Sequence, residues 1–516
     1  MTNGGFARIS ALILILSCSA PALSFGPAEG RAGQALVRIQ QIDPAVNSVL
    51  AVNPDAIRQA QAVDSMGLSG PLAGQPILIK DNIEVSGMPT TAGSLALANN
   101  DTRRDAPIVT RLRAAGAIIV GKTNLSEWAN IRSSHSISGW SAVGGQTRNP
   151  YALDRNPCGS SSGSGAAVAA GLVRLAVGTE TDGSVTCPAA INGIVGLKPS
   201  IGLVSRTHIV PISASQDTAG PMTVTVREAA ELLTVLAGSD PADTATAEAD
   251  RRKVDYASKL RPDELNGKRI GVMRFASGFG TDEVFNAALE LLKKQGAILV
   301  EIKKFDDKAI GDNEFTVLLT ELKAGLNDYL KTTPPSVTTR TLADVIAFNK
   351  AHSSEEMSLF GQDIFEKAEA TKGLKDPAYI KARKTSFEAA GPNGLDRMLK
   401  ENNVVALVGP TMPPSWKIDA VNGDQISGGG AGSLAAVAGY PHLTVPMGQV
   451  MGLPVGLSFI GPKWSDALLL RLGFAYEQAR GPLPAPRFLR SIEESPEVAP
   501  KLDRQIHPVT LLGGQL

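Results

Sequence analysis

Short apolar segments alternate with helical segments along most of the chain, and this alternation limits the possible folds more than any other feature. "PILIK" at 76–80 and the stretch from Ala117 to Val120 have the composition of buried strands. From Lys268 onward, "KRIGVM", "DEVFNAALELLKKQG" and "AILVEI" give a strand, a helix and a strand in succession. Such alternation predicts an α/β protein with a sheet flanked by helices.

The chain is long enough to bury a large core, and nothing in it marks a boundary between domains. It has 516 residues, of which 43% are apolar and only 19% are charged. Because no Pro- or Ser-rich linker divides it, we predict one large domain. We expect a catalytic core at about 70–225, a helical elaboration at about 240–400 and a return to the sheet at about 404–480.

Several helices can be predicted individually. Residues 34–66 have a mostly helical pattern. Thr225 and Glu228 form a capping-box pattern in front of "AAELLTVLA", which Gly238 should stop. The segment from Ser465 to Ala479 is predicted as the last long helix.

The charge balance argues against nucleic acid and anionic membranes as partners. Fifty Lys and Arg residues balance fifty Asp and Glu residues, so the formal net charge is zero. A neutral molecule has no broad field that would attract polyanions. The composition therefore favours small molecules or peptides as substrates, and it leaves open whether the protein is a monomer or a homodimer.

The N-terminal segment has the pattern of a secretory signal peptide. An apolar run follows Arg8, and Ala22 and Ser24 are small residues with the spacing of a cleavage site. The run is shorter than the roughly 20 residues that span a bilayer, so a retained membrane anchor is the weaker interpretation. We predict a signal peptide at 1–24, a mature chain at 25–516, and a periplasmic or secreted protein without stable membrane association.

The chain has three cysteines, and only Cys158 and Cys187 lie in the predicted mature part. A lipid anchor on Cys18 is an alternative to cleavage, although the residues before it make a poor lipoprotein signal. At most one disulfide can form in the mature chain, so the fold cannot depend on a disulfide framework. We interpret Cys158 and Cys187 as packing thiols rather than as nucleophiles.

Residues 116–123, "GAIIVGKT", match the pattern of a phosphate-binding P-loop. A P-loop needs its variable residues to curl into a nest of backbone N–H groups. Here those residues are Ile118, Ile119 and Val120, which favour an extended strand. The segment is therefore predicted to be a strand that begins after a turn at Gly116 and ends in a turn at Gly121.

The serine-rich segment "CGSSSGSG" at 158–165 contains a G-x-S-x-G pattern centred on Ser161. In α/β-hydrolases this pattern forms a nucleophile elbow directly after a strand, but here two prolines and no apolar run precede it. None of the five histidines has a spacing that singles it out as a catalytic partner. A second glycine cluster, "SGGGAGS" at 427–433, is predicted to be a turn or the approach to a helix.

A third motif, "GTETDGSVTCPAA" at 178–190, follows the apolar segment "LVRLAV". Thr181, Asp182, Gly183 and Ser184 form a tight turn that can direct several backbone N–H groups into one space. Such groups are what an oxyanion hole requires, because they stabilise the negative charge of a tetrahedral intermediate. The motif on its own is also compatible with a purely structural turn.

Taken together, these segments resemble the amidase signature family. The resemblance rests on Lys80 at the end of "PILIK", on Ser160 in the serine-rich segment and on Ser184 in the turn. The segments "GIVGLKPSIGLVS" and "AGYPHLTVPMG" also match, so the resemblance covers most of the mature chain. It implies a large single-domain α/β fold with a central mixed sheet covered by helices on both faces. It also implies a serine amidohydrolase with neither cofactor nor metal.

The resemblance also implies a catalytic triad without histidine. Ser184 would attack the amide carbonyl, Ser160 would relay its proton after a cis peptide bond with Gly159, and Lys80 would be the base. The oxyanion hole would be formed by the backbone N–H groups from Thr181 to Ser184. Lys80 must be neutral to accept a proton, whereas a free lysine titrates at about 10.4. Burial beside its apolar strand neighbours would lower its pKa.

The sequence departs from the common family pattern around the nucleophile. Glu180, Thr181 and Asp182 stand where most members have Asp, a variable residue and Gly, and Thr186 replaces a common Arg. These departures, with "NPCGSSSGSG" and "SEWANIRSS", resemble the bacterial peptide amidases, which remove C-terminal amides from peptides. The alternatives are a broad aliphatic or aryl amidase, the glutamine-hydrolysing component of a tRNA-dependent amidotransferase, and a catalytically inactive binding protein.

Candidate substrate-binding residues lie between the predicted base and the predicted relay. Trp128, Arg132, Ser134 and His135 occupy a loop-like stretch, together with Trp140. Loops on a rigid scaffold commonly line binding pockets. Packing is an equally good interpretation of these side chains from the sequence alone.

Overall fold

The computed structural model describes residues 26–428 and 430–502, so the predicted signal peptide at 1–24 lies outside the described residues. The strands are β1 (Val49–Val52), β2 (Pro76–Lys80), β3 (Ile118–Thr123), β4 (Trp140–Ser141), β5 (Gly145–Gln146), β6 (Leu175–Glu180), β7 (Val195–Lys198), β8 (Thr218–Thr223), β9 (Arg269–Met273), β10 (Ile298–Ile302), β11 (Ala406–Pro410), β12 (His442–Val450) and β13 (Leu453–Ile460).

The helices connect these strands and form most of the middle of the chain. They are α1 (Pro27–Val46), α2 (Ala56–Met66), α3 (Pro107–Ala114), α4 (Ser162–Ala169), α5 (Thr186–Ile191), α6 (Val226–Leu236), α7 (Ala249–Arg252), α8 (Asp282–Lys294), α9 (Gly311–Leu330), α10 (Leu342–Ala351), α11 (Ser353–Glu356), α12 (Asp363–Glu369), α13 (Pro377–Ala390), α14 (Arg397–Glu401), α15 (Ser433–Ala438), α16 (Asp466–Arg480) and α17 (Ala499–Leu502). None of the described helices is both long and apolar enough to cross a bilayer.

Eleven strands form one mixed sheet in the order β1-β3-β2-β6-β8-β7-β12-β13-β11-β9-β10. Strand β2 runs parallel to both β3 and β6, and β9 runs parallel to both β10 and β11. The strands between these two groups pair in antiparallel fashion. The prediction of a single large α/β domain with a mixed central sheet is confirmed.

Both faces of the sheet are covered by helices. Successive residues of a strand point to opposite faces, so neighbours in β2 belong to different buried clusters. Ile77 and Ile79 of β2 belong to one buried cluster, which includes side chains from α3, α6, α8 and α16. Leu78, between them, belongs to another cluster with residues of α1, α2, α4 and α5. A strand buried on both faces is continuously apolar, which explains the "PILI" run.

Several individual predictions are confirmed by local contacts. Helix α6 begins with the predicted capping box, in which Thr225 and Glu228 bond reciprocally. The P-loop-like segment forms strand β3, and Lys122 is fully buried with its Nζ 2.8 Å from Asp81 Oδ1. Its lysine is therefore part of a buried ion pair.

Three local predictions are wrong or incomplete. The predicted helical region at 34–66 is interrupted by β1, which pairs with β3 at the edge of the sheet. Gly121 does not end β3: a Cβ there would collide with the carbonyl oxygen of Ala51, so glycine allows the close approach of β1. Strands β7 and β8 are not predicted, since a glycine interrupts the apolar pattern of β7, and a glycine and a proline interrupt that of β8.

Candidate active site

The sheet brings the predicted base and the predicted nucleophile to the same edge. Lys80 is the last residue of β2, and β6 ends at Glu180, four residues before Ser184. These strands are parallel neighbours, with Ile79 opposite Val177. Their carboxyl ends therefore lie side by side, which is where open α/β sheets usually place their sites.

Lys80 is completely buried, and its amine contacts three oxygen atoms. Lys80 Nζ lies 2.7 Å from Ser160 Oγ, 2.9 Å from Thr179 Oγ1 and 3.2 Å from the Thr179 carbonyl oxygen. Burial holds its pKa well below the usual value, although Glu180 and Asp217 act in the opposite direction. A neutral amine has two N–H donors for Thr179 and one lone pair to accept the hydroxyl proton of Ser160.

The serine-rich segment forms a buried loop that leads into α4. The peptide bond between Gly159 and Ser160 is cis, as expected. The backbone N–H of Ser161 donates to the Ser184 carbonyl oxygen at 3.1 Å, which joins the loop to the turn. The hydroxyls of Ser161 and Ser162 donate to the carbonyl oxygens of Thr179 and Cys158, at 3.0 and 2.6 Å. In this loop, Ser160 is the serine whose hydroxyl contacts the lysine.

The turn that carries Ser184 is held by two carboxylates. Glu180 Oε2 accepts from the backbone N–H groups of Val185 and Thr186, at 2.8 and 2.9 Å. Asp217 Oδ1 accepts from the hydroxyl of Thr181 at 2.6 Å. Gly183 has a φ of 78°, in the left-handed region that favours glycine. Glu180 thus anchors the start of α5, directly after the predicted nucleophile.

The backbone N–H groups of the turn are available for a ligand. Among the described residues, the N–H groups of Thr181, Asp182, Gly183 and Ser184 have no hydrogen-bond acceptor. Unpaired donors in one turn are suited to stabilising an oxyanion, because they need no rearrangement when the charge develops. The geometry is therefore compatible with the predicted oxyanion hole.

A cavity of about 380 Å³ opens over this turn. This volume lies within the range of pockets that hold small ligands or the end of a peptide. Within the described residues, no group of three or more His, Cys, Asp or Glu side chains is arranged to hold a metal ion. The cavity is lined by Ala129, Asn130, Ile131, Ser138, Cys158, Gly159, Thr181, Asp182, Gly183, Ser184, Cys187, Ile212, Leu318, Met412, Ile426, Gly428, Gly430 and Ser433.

The two cysteines in the cavity wall form a disulfide. Cys158 and Cys187 have their Cα atoms 6.1 Å apart, a separation that a disulfide can bridge. The interpretation of both as packing thiols is therefore wrong: the loop before Ser160 and the first turn of α5 bring them together. The bond links the segments that carry the two serines.

An acidic pair lies at one side of the cavity. Asp182 lines it, and Glu314 of α9 approaches Asp182 while accepting from Gln216 Nε2 at 2.8 Å. Burial and the charge of Glu180 raise the pKa of Asp182 to about 6. Burial and the charge of Asp182 raise the pKa of Glu314 to about 8. The pair therefore carries about one negative charge at neutral pH.

The structure does not bring the four predicted substrate-binding side chains to this cavity. Trp128 packs edge-on against Phe365, and Arg132 is buried between Glu127 and Glu356. Ser134 donates to Asp363 at 2.9 Å, and His135 contacts Ser134. Trp128, Arg132 and Ser134 thus contact residues of the helical elaboration. The cavity is lined instead by Ala129, Asn130 and Ile131.

Sequence reasoning missed Thr179, Asp217 and the contribution of α9. Thr179 precedes Glu180 in β6, yet its contact with Lys80 depends on strand pairing, which a single sequence does not specify. Asp217 lies just before β8, a strand without a clear apolar pattern in the sequence. In the sequence, only the two acidic residues of "TETD" at 179–182 indicate that carboxylates lie around the turn.

The comparisons with known proteins agree with this geometry. A family model described as Amidase matches residues 33–470. The chain belongs to the amidase family. A probable amidase of Arabidopsis thaliana is 38% identical over 470 residues, which cover 88% of this chain and 87% of that protein. This chain is therefore an amidohydrolase, and a Ser-Ser-Lys triad is characteristic of its family.

Two further comparisons bear on the substrate class. The crystal structure of the native peptide amidase from Stenotrophomonas maltophilia aligns with a TM-score of 0.84 at 49% identity, covering 89% of this chain and 95% of that chain. One component of the glutamyl-tRNA(Gln) amidotransferase of Exiguobacterium sibiricum is 34% identical over 465 residues, covering 87% of this chain and 93% of that protein.

Proposed function

We propose that this amidase hydrolyses the C-terminal amides of peptides, with Ser184 as nucleophile, Ser160 as proton relay and Lys80 as base. The 2.7 Å contact between Lys80 Nζ and Ser160 Oγ carries the proposal. The lysine is completely buried, its pKa is lowered, and the relay loop is bonded to the turn of Ser184. This is the arrangement of an activated hydroxyl.

The first step forms an acyl-enzyme. Ser184 Oγ attacks the carbonyl carbon, its proton passes to Ser160 Oγ, and the proton of Ser160 passes to the neutral amine of Lys80. The tetrahedral oxyanion accepts hydrogen bonds from the free N–H groups of the turn. When the C–N bond breaks, the proton returns through Ser160 to the leaving nitrogen, and ammonia departs.

The second step regenerates the enzyme. Water attacks the acyl-enzyme carbonyl while the same relay accepts one of its protons. The C–O bond to Ser184 then breaks, and the proton returns to Ser184 Oγ. The products are a carboxylic acid and a free enzyme, so no other reactant is needed.

The charge of the cavity wall favours a carboxamide substrate and disfavours a peptide with a free C-terminal carboxylate. Asp182 lines the cavity and is mostly ionised at neutral pH, so it disfavours a carboxylate in the same space. An uncharged amide avoids this repulsion, and the carboxylate product is repelled after hydrolysis. The likeness to a peptide amidase supports the same substrate class.

A second candidate function is glutamine hydrolysis within a tRNA-dependent amidotransferase. The observation behind this alternative is the 34% identity to one component of such an enzyme. Under this alternative, the protein would copurify with partner proteins and would hydrolyse glutamine rather than peptide amides.

An ammonia-release screen tests the substrate. The purified protein is assayed with peptide amides, the corresponding free peptides, simple aliphatic and aryl amides, esters and glutamine. We expect ammonia from peptide amides, with internal peptide bonds left intact. Release from glutamine alone would contradict the proposal and favour the second candidate, and equal rates on simple amides would indicate a broad amidase.

Substitution of the nucleophile tests the mechanism. We expect Ser184→Ala to lower kcat by about 10⁴-fold or more, because the covalent route is lost. Ser164→Ala is the matched control, since Ser164 is buried in the adjacent α4 and donates to the Val177 carbonyl oxygen at 3.2 Å. Full turnover by Ser184→Ala, or failure of a fluorophosphonate to label Ser184 in the wild type, would exclude this assignment.

A further inference from the structure

A second cavity, of about 680 Å³, lies away from the catalytic one. Three arginines line it: Arg38 from α1, Arg174 just before β6, and Arg480 at the end of α16. The wall of the catalytic cavity, as far as the described residues form it, contains no arginine. The two cavities share no lining residue.

The positions of two helices separate the cavities. Helices α4 and α5 begin next to the catalytic serines, and residues at their other ends, Ala169 and Asn192, line the second cavity. Eight helical residues span about 12 Å, so a ligand in the second cavity does not touch the catalytic groups. It is therefore a separate site.

The arginines of this cavity have unused donors. Arg480 Nε and Nη1 are buried without a hydrogen-bond partner among the described residues, and so is Arg38 Nε. A buried donor without a partner costs about 1–3 kcal/mol, more for a charged group. Burial lowers the pKa of Arg480, as expected for a guanidinium whose charge is incompletely compensated. These nitrogens are placed to receive an anion.

The acidic residues nearby do not neutralise the three arginines. Arg174 pairs with Glu228, which is already part of the capping box of α6. Glu477 also lines the cavity, where its carboxylate accepts from the backbone N–H of Val226 at 2.9 Å. Burial raises the pKa of Glu477 to about 7, so only part of its negative charge is present at neutral pH. A net positive charge remains.

The rest of the wall is largely apolar. Val168 lies in the last turn of α4, Ile194 lies directly before β7, and Leu483 belongs to a proline-rich segment of the wall. Arginines favour carboxylates because their N–H groups can bind both oxygens. An apolar wall next to them favours a ligand with a hydrocarbon part.

We propose that this cavity binds an organic carboxylate, with Arg480 as the main contact for the carboxylate and the apolar wall as the contact for the hydrocarbon part. Arg38 contributes a second positive charge from another element of the wall. The site is distinct from the catalytic cavity, so its occupation does not require Ser184.

Calorimetric titration with octanoate tests this proposal. Octanol tests the apolar wall alone, and inorganic phosphate tests the anion site alone. We expect octanoate to bind the wild type at least tenfold more tightly than either control. Arg480→Gln and Arg38→Gln should each weaken octanoate binding by at least tenfold while leaving the turnover of amides unchanged. Arg490→Gln is the matched control, because Arg490 is exposed and does not line the cavity.

Four outcomes would overturn the proposal. Equal octanoate binding by the wild type and both glutamine variants would place the ligand elsewhere, for example as a product in the catalytic cavity. Octanol binding as tightly as octanoate would indicate an apolar cavity only. Phosphate binding as tightly as octanoate would indicate an unselective anion site, and no binding of any probe would exclude the site. Thermal unfolding of each variant checks that the fold is retained.

Discussion

At the scale of single residues, Lys80 and Lys122 show how differently two buried lysines can be used. Lys122 pairs with Asp81, so its charge is balanced inside the protein. Lys80 is equally buried, but its amine contacts only the uncharged oxygens of Ser160 and Thr179. Burial without a carboxylate in direct contact lowers the pKa of Lys80, which favours the neutral amine that can accept a proton.

This difference predicts the pH dependence of activity and of stability. We expect kcat/KM to rise with pH as Lys80 loses its proton, and then to level off. The unfolded chain has an ordinary lysine that titrates near about 10.4, so it binds more protons than the folded enzyme between the lowered pKa and that value. The charged buried amine destabilises the folded state most below the pKa that Lys80 has in the folded protein. This destabilisation disappears as the pH approaches about 10.4. The unfolding free energy should therefore rise with pH across this window.

Substitution of each buried lysine tests whether the pKa of Lys80 is lowered while Lys122 forms a stabilising ion pair. Lys80→Met should abolish turnover and remove this contribution to the pH dependence of the unfolding free energy. Lys122→Met should instead cost about 3–5 kcal/mol of stability, because Asp81 is left buried and unpaired. Chemical denaturation at several pH values measures both. An unchanged pH dependence in Lys80→Met would contradict a lowered pKa of Lys80.

Asp182 provides a second residue-scale prediction. Its carboxylate should repel the carboxylate product, and this effect should strengthen as pH rises past about 6. We expect Asp182→Asn to increase inhibition by the product acid about tenfold at neutral pH, while the KM for the amide changes much less. Inhibition constants measured at pH 5 and pH 8 check this, because the two proteins should differ mainly at the higher pH.

At the scale of elements, the strand, turn and helix around Ser184 form one unit. Strand β6 ends at Glu180, whose carboxylate accepts from the backbone N–H groups of Val185, just before α5, and Thr186, its first residue. These bonds fix the turn between the strand and the helix. The same carboxylate also raises the pKa of Lys80 through its charge. Glu180 therefore acts as a positioning residue with two measurable effects.

These effects can be separated by two variants of Glu180. Glu180→Gln should lower kcat about 10- to 100-fold and move the acid limb of the pH profile to lower pH, because the negative charge near Lys80 is lost. Glu180→Asp keeps the charge and should lower kcat without moving the limb. If Glu180→Gln leaves the limb in place, the residue has only a structural role.

The disulfide joins the two catalytic segments and gives another element-scale prediction. It closes a loop between residues 29 positions apart in sequence. A loop of this size predicts a loss of about 3–4 kcal/mol in the unfolding free energy when the bond is removed. Thermal unfolding of a Cys158→Ser, Cys187→Ser double variant measures this loss. Addition of a thiol reductant should lower the Tm of the wild type and leave the double variant unchanged.

Elements with strong periodicity can be predicted from the sequence, and those that depend on pairing cannot. Strands β2, β3 and β6 are visible as apolar runs, and the amidase resemblance predicts Lys80, Ser160 and Ser184 as the catalytic residues. Strand β7 contains a glycine, and β8 contains a glycine and a proline. The place of both strands in the sheet is set by their neighbours. Trp128 and Arg132 have the chemistry of pocket residues, but buried partners from the helical elaboration hold them away from the cavity.

At the scale of the whole molecule, we propose that the enzyme is exported and that residues 1–24 are removed. The signal-like N-terminal sequence supports this, and so does a disulfide in the wall of the catalytic cavity, since disulfides persist in oxidising compartments. N-terminal sequencing of the protein from an extracellular or periplasmic fraction should find a start close to residue 25. An uncleaved protein in the cytoplasmic fraction would contradict the proposal.

The order of the strands has one more consequence. Lys80 and Thr179 are 99 residues apart in sequence, and their contact forms only when β2 has paired with β6. Pairing over such long sequence separations is slow compared with the formation of local helices. Circular dichroism during refolding should therefore recover before turnover does. Ammonia release can thus serve as a specific reporter of completed folding, because partly assembled chains contain helices but lack the proton relay.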